Sequence, residues 1–150
     1  MREGKAIADR HDVGAADVVR AAALAGVVSG APSTVHALAT GRSPVAALRA
    51  AATLLPGRRS RSPLGELAAG VVVHAGLSLG WATVLTAVLP QRRTALWGAA
   101  AGAVITALDL GVIGRHNRAI AQLPWAAQVA DHVLFGAVVG SILSRRRWRD

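Results

Sequence analysis

Residues 21–41 and 67–91 carry no formal charge, and two further apolar runs, 94–113 and 119–144, carry one aspartate each. The hydrocarbon core of a bilayer takes roughly 20 residues of helix. The pattern therefore predicts four membrane-spanning helices, at about 18–40, 64–89, 94–113 and 120–143. Between the first two lies a shorter apolar segment, 44–55, in which Val45, Leu48, Ala52 and Leu55 share one helical face and Arg49 lies off it. Eleven or twelve residues cannot span, so this segment reads as an amphipathic helix lying on the membrane surface. The fold class that follows is all-α: an integral membrane four-helix bundle with a short interfacial amphipathic helix between spans 1 and 2.

Punctuation residues refine this outline. Ser29-Gly30-Ala31-Pro32-Ser33-Thr34 sits inside the first span. Proline removes a backbone donor and crowds the preceding turn, so a kinked helix is expected, with a break near Gly30 as the alternative. Ser43-Pro44 offers an N-cap and a first helical residue for the short helix. Pro56-Gly57 ends it, ahead of a basic loop through Arg58, Arg59 and Arg61. Pro90-Gln91-Arg92-Arg93 is a tight turn that brings span 3 back beside span 2. Gly114-Arg115-His116-Asn117-Arg118 is a polar turn. Ala119 to Leu123 either opens span 4 or forms a short surface piece before Pro124. A polar tail, 1–17, precedes the membrane domain of 18–143, and a basic tail, 144–150, follows it.

The composition narrows how such helices pack. Apolar residues make up 53% of the 150, with one Phe and no Tyr, and mean hydropathy is +0.41. Ala, Val, Leu and Gly supply the bulk. Lipid tails do not drive helices together, so close backbone approach at small residues must do so. Each span offers a small-xxx-small pair for that purpose: Gly26/Gly30, Gly76/Gly80, Gly98/Gly102 and Gly136/Gly140. Cysteine is absent, which excludes disulfides, thiolate metal sites and a thiol nucleophile.

A net charge of +9 raises the question of nucleic acid. The arginines instead flank apolar runs, where they meet lipid headgroups, and no basic stripe is interleaved with stacking aromatics. The partners expected are membrane lipids and no nucleic acid, with leftover glycine faces open to a homo-oligomer or a membrane partner protein. Ten Lys and Arg fall on the side of the termini and the Pro90 turn, and seven on the other. The positive-inside bias then puts both termini in the cytoplasm, in a bacterial plasma (inner) membrane. The basic 58–61 loop, left outside, strains that orientation. The mixed-charge start, with four acids among residues 1–17, reads as a cytoplasmic tail and not as a cleaved signal peptide.

The candidate chemistry lies inside the spans. His36, His74, Asp109, Asp131 and His132 are costly in hydrocarbon and need a partner or a task. Three- and four-residue steps place most of them on small-residue faces. Gly98, Gly102, Thr106 and Asp109 form one such row, and His132, Gly136 and Gly140 another. Gly26, Ser29, Ser33 and His36 form a third; Glu66, Gly70, His74 and Ser78 form an inclined stripe. At about 1.5 Å per residue, His36 and Asp109 lie roughly 6 Å from the outer end, Asp131 and His132 roughly 10–12 Å, and His74 about 15 Å. Five groups from four helices thus gather in one half of the bundle.

The leading reading of this cluster is structural, with hydrogen bonds such as Asp131 to His74 and Asp109 to His36 holding helices in register. The alternative is a proton or ion path for a small coupled transporter or channel component, since Asp/His chains mark such relays. The three histidines and two aspartates are metal-ligand types, but no close ligand spacing unites them, so no metal and no cofactor are expected. The zinc-protease, nucleophile-elbow and phosphate-loop patterns are absent, and a non-enzymatic protein is expected.

Ser29-Gly30-Ala31-Pro32-Ser33-Thr34-x-His36 in the first span and Asp131-His132-x-x-Phe135-Gly136-x-x-x-Gly140 in the last resemble uncharacterised four-span proteins of actinobacterial inner membranes. More distantly, the last stretch is similar to small bacterial membrane proteins that end in a His-x-x-aromatic-Gly helix. The likeness covers residues 18–145. It implies location and span number only, because these families carry no assigned reaction.

Overall fold

The computed structural model describes residues 13–55 and 62–147. Most of the N-terminal tail, the basic loop at 58–61 and the last three residues lie outside the described residues. Four helical stretches are long and apolar enough to cross a membrane: Ala15–Ala39, Pro63–Val88, Thr94–His116 and Trp125–Arg145. The first consists of α1 (Ala15–Val28) and α2 (Ala31–Ala39). A short helix, α3 (Ala46–Ala52), leads to α4 (Pro63–Val88), then α5 (Thr94–Leu108), α6 (Arg118–Ala121) and α7 (Trp125–Arg147). The architecture is an all-α, multi-pass four-helix bundle with a short helix between spans 1 and 2.

The first span breaks instead of bending. Pro32 has no N–H to give to the preceding turn. α1 closes on Ser29, whose N–H donates to the Ala25 carbonyl at 2.9 Å. α2 restarts from Gly30, whose carbonyl accepts from Thr34 N–H at 3.1 Å. The break, not the expected kink, gives span 1 a second helix N-terminus inside the bundle. α2 stops at Gly41, which has a left-handed φ of +66°. Arg42 N–H reaches back to the Ala37 carbonyl at 2.8 Å and Gly41 N–H to Leu38 at 3.4 Å. These bonds satisfy carbonyls that the helix end leaves free.

Ser43-Pro44 does not start a helix. The chain leaving Gly41 turns through 42–45, and α3 begins at Ala46, with Ser43 accepting from Ala46 N–H at 3.2 Å. The second Ser-Pro pair makes the start expected of the first. Ser62 Oγ accepts from Gly65 N–H at 3.1 Å and Pro63 opens α4. α3 lies against α4, where a β-carbon at Gly70 would collide with the Leu48 carbonyl. An exposed Arg49–Glu66 ion pair, 3.6 Å, spans the same contact.

The tightest contact joins α5 and α7. A β-carbon at Gly98 would strike the Gly136 carbonyl, one at Gly136 the Gly98 carbonyl, one at Gly102 the His132 carbonyl and one at Gly140 the Thr94 carbonyl. Both glycine pairs therefore let two backbones touch, which is the small-residue packing that membranes favour. Gly26 does the same more loosely against Ser78 of α4. Gly30 packs against no neighbouring helix, because it lies in the break; the nearest atom to its missing β-carbon is the Val27 carbonyl oxygen. Gly76 and Gly80 are exposed, with nothing near a β-carbon built on either. Two residues along a helix turn its face by about 200°. With His74 and Ser78 turned to α1, Gly76 and Gly80 point outward, and among the described residues nothing packs against them.

Polarity separates along the bundle axis. Ala22, Ala25, Ala82, Leu85, Leu89, Ile105, Phe135, Val139 and Leu143 form the buried apolar core. It extends toward the end holding the Pro90 turn. His36, His74, Asp109, Asp131 and His132 lie in the other half.

Candidate intramembrane site

Three elements position this half of the molecule. The break in span 1 ends α1 at mid-depth and turns the N-terminus of α2 inward. α5 passes into a π-helical turn, Asp109–Ile113, in which Gly114 N–H bonds to the Asp109 carbonyl. A short 3-10 turn, Gly114–His116, then closes the span. A π-turn widens a helix locally and is frequent at functional sites; here it begins at the aspartate itself. The third element is the first half of α7, where Gln128, Asp131 and His132 share a face by steps of three and four.

His74, Asp109, Asp131 and His132 each have a partner on another span. Asp131 Oδ1 accepts from the backbone N–H of Ser33 at 2.9 Å. Ser33 is in the first turn of α2, so a carboxylate of span 4 caps the half-helix of span 1 and faces the positive end of its dipole. His74 Nε2 donates to the Gly26 carbonyl at 2.9 Å, tying span 2 to the last turn of α1. His132 Nε2 lies 3.2 Å from Asp109 Oδ2, tying span 4 to span 3. The two side chains are 22% and 19% exposed, so the pair is largely withdrawn from the surface. Outside the spans, Asn117 Nδ2 donates to Thr53 Oγ1 at 2.8 Å and ties the connection after span 3 to the end of α3.

The pairing of His132 fixes its protons. Nδ1 lies 2.7 Å from the Gln128 carbonyl, an acceptor only, so Nδ1 carries a hydrogen. Nε2 faces a carboxyl oxygen, and the hydrogen bond there needs a second proton, held by the ring or by Asp109.

Four of the five sequence-expected groups, His74, Asp109, Asp131 and His132, line one cavity of about 720 Å³. His36 is not among them; it is half-buried on α2, and its backbone carbonyl, not its ring, accepts from Thr40 Oγ1 at 2.8 Å. The expected partners are also exchanged. Asp109 meets His132 in place of His36, and Asp131 meets a backbone N–H in place of His74. The break supplies the reason. It exposes a helix N-terminus that attracts a carboxylate and a Gly26 carbonyl that attracts a ring N–H.

Sequence reasoning missed Gln128. It is 7% exposed, lines the cavity, and its side-chain nitrogen has no hydrogen-bond partner. Its spacing of four from His132 was the available signal. Trp81 packs against the apolar core and reaches the same cavity. Trp97 and Trp125, near span ends, are exposed at 53% and 68%, as interfacial rings are. Among the described residues no three His, Cys, Asp or Glu side chains gather as metal ligands would.

No family model, curated protein or solved structure matches this chain.

Proposed function

We propose that this is a non-enzymatic protein of a bacterial plasma membrane, both termini cytoplasmic, whose intramembrane polar groups fasten four weakly hydrophobic spans around a cavity. The observation that carries this reading is the set of three ties. His74 to Gly26 joins spans 2 and 1, Asp131 to Ser33 joins spans 4 and 1, and His132 to Asp109 joins spans 4 and 3. Together they join the four spans in the series 2–1–4–3, and each engages a polar group that is costly in lipid. The ionisable side chains of the cavity wall thereby each make a contact with a neighbouring span.

The orientation rests on the ten-to-seven charge bias, and the bacterial location on the motif likeness in spans 1 and 4. Reporters of sidedness fused to each end test the first. The scaffold reading is tested by Asp131→Asn, Asp109→Asn and His132→Gln in reconstituted protein, measuring folding and ion flux on the same samples. Loss of folded stability with no flux in any variant or in wild type fits a scaffold. Wild-type flux abolished in variants that fold normally contradicts it.

A second reading, a small proton- or ion-coupled transport component, is favoured by one observation. His132 is held between two acceptors at the cavity wall, so its pair with Asp109 carries one proton that can be handed between two groups without a change in net charge.

A further inference from the structure

At the end of the bundle away from the Pro90 turn, two connections meet. Asn117 lies between spans 3 and 4, and its Nδ2 donates to Thr53 Oγ1 at the end of α3, between spans 1 and 2. The other end of the same amide is engaged too: Oδ1 accepts from Ala119 N–H at 3.0 Å and from Ile120 N–H at 3.4 Å. Asn117 therefore holds both its own turn and the contact with α3. Arg115 and Arg118 flank Asn117, and Arg49 stands one helical turn before Thr53. A fixed joint thus carries three arginines to one corner, and all three are exposed. Among the described residues Glu66 is the one acid at this end. It meets Arg49 at Nε, 3.6 Å away, in a pair open to solvent and so weak. Arg115 and Arg118 have no acidic partner among the described residues. Like charges brought together repel, so the corner favours an anion from outside the chain. Val112 and Ile113, just before the turn, are exposed at 48% and 45%. Apolar residues open to lipid directly below arginines mark the level at which hydrocarbon gives way to headgroups.

We infer that this corner binds the headgroup of an anionic phospholipid, its phosphate between Arg115 and Arg118 with Arg49 beside them, and its acyl chains along Val112 and Ile113. A phosphodiester is the anion that fits. It lies at this depth in any bilayer, and its two free oxygens match the planar fork of a guanidinium. A zwitterionic lipid also brings a cation, for which the corner offers only Glu66, already engaged by Arg49. The inference goes beyond the scaffold reading and depends neither on it nor on orientation. With both termini cytoplasmic, this is the basic end left outside, and a bound anionic lipid offsets the charge that the positive-inside tendency disfavours there.

Native mass spectrometry of the full-length protein in detergent tests this by titration with dioleoylphosphatidylglycerol and dioleoylphosphatidylcholine, which share their tails and differ in charge. Wild type is expected to bind the phosphatidylglycerol about tenfold more tightly, the order of preference that two arginines near an anionic headgroup provide. The double variant Arg115→Gln with Arg118→Gln is expected to lose that preference. Arg92→Gln with Arg93→Gln takes the same charge from the opposite end and is expected to keep it. Asn117→Ala removes no charge but frees the joint, and is expected to weaken the preference. Inorganic phosphate in millimolar excess is expected to leave the lipid bound. Equal binding of the two lipids to wild type overturns the inference. So does an equal loss in the two double variants, which makes net charge the cause, or an undiminished preference in Asn117→Ala. Displacement by inorganic phosphate assigns the corner to the free ion and overturns the lipid as its occupant. The wild-type comparison and the phosphate competition need no substitution and are read even where a variant does not fold. Failure here leaves the three ties untouched, whereas failure of the scaffold reading appears in the folding of the Asp131, Asp109 and His132 variants.

Discussion

Asp109 Oδ2 and His132 Nε2 meet at 3.2 Å, where the π-turn that ends span 3 packs on α7. Their approach depends on features around both. Gly102 lets the α5 backbone lie against the His132 carbonyl, and the π-turn begins at Asp109. The 2.7 Å bond from Nδ1 to Gln128 fixes the ring. An interaction of this kind inside a membrane is worth on average about 0.6 kcal/mol, with a ceiling near 1.7 kcal/mol. It is a modest fastening, and it works because the glycines have already brought the helices together.

That dependence gives a first prediction. Gly136→Ala is expected to destabilise the fold by about 1–3 kcal/mol, because the added carbon meets the Gly98 carbonyl and neither backbone can yield cheaply. Gly76→Ala, on the open face of α4, is expected to be neutral or to gain up to about 1 kcal/mol from helix propensity. Thermal melts of the two variants in the same detergent check the contrast.

Gly26 lies between these extremes. A β-carbon there would sit 2.9 Å from Ser78 Oγ and 3.3 Å from Ser78 Cβ, so a small side chain must move. Gly26→Ala is expected to cost about 1 kcal/mol, and adding Ser78→Gly should restore most of the loss. Additive melting shifts in the double variant would contradict the contact.

Asp131 separates charge from hydrogen bonding. Asp131→Asn keeps an acceptor for Ser33 N–H and loses only the interaction with the α2 dipole, about 0.3–1 kcal/mol. Asp131→Leu leaves that N–H without its partner and is expected to cost about 1–3 kcal/mol. Thermal melts in detergent should follow the same order, with the leucine variant melting lowest.

At Gly41 the requirement is conformational. Its φ of +66° is one that residues with a β-carbon adopt at a cost of roughly 1–2 kcal/mol. Gly41→Ala is expected to lose about 1 kcal/mol and Gly41→Asn less, since Asn tolerates this region. Denaturant titration of both variants reads the difference.

Much of this was legible in the sequence. Runs with no charge or a single aspartate located the spans, because charged side chains are costly in hydrocarbon. The stripe Glu66, Gly70, His74 and Ser78 faces its neighbours in the order read, with Glu66 and Gly70 against α3 and His74 and Ser78 against α1. The row His132, Gly136 and Gly140 meets α5 for the same periodic reason. The partners of the polar groups were not legible. Side-chain pairing was sought among side chains, but two of the three ties end on backbone groups at or near the break in span 1. A single chain of residue types does not show where a proline will free a carbonyl or present a helix N-terminus. The π-turn was hidden likewise, since one extra residue in a helix shifts every face beyond it. His36 went astray for this reason too, because its place on the Gly26 row assumed an unbroken helix.

The most direct measurement is a pair of double-mutant cycles on unfolding free energy in detergent, one for Asp109→Asn with His132→Gln and one for Asp109→Asn with His36→Gln. If Asp109 and His132 are an interhelical tie, the first cycle yields a coupling of about 0.6–1.7 kcal/mol and the second yields none. A coupling absent from the first cycle, or larger in the second, contradicts the proposal that these groups fasten span 3 to span 4.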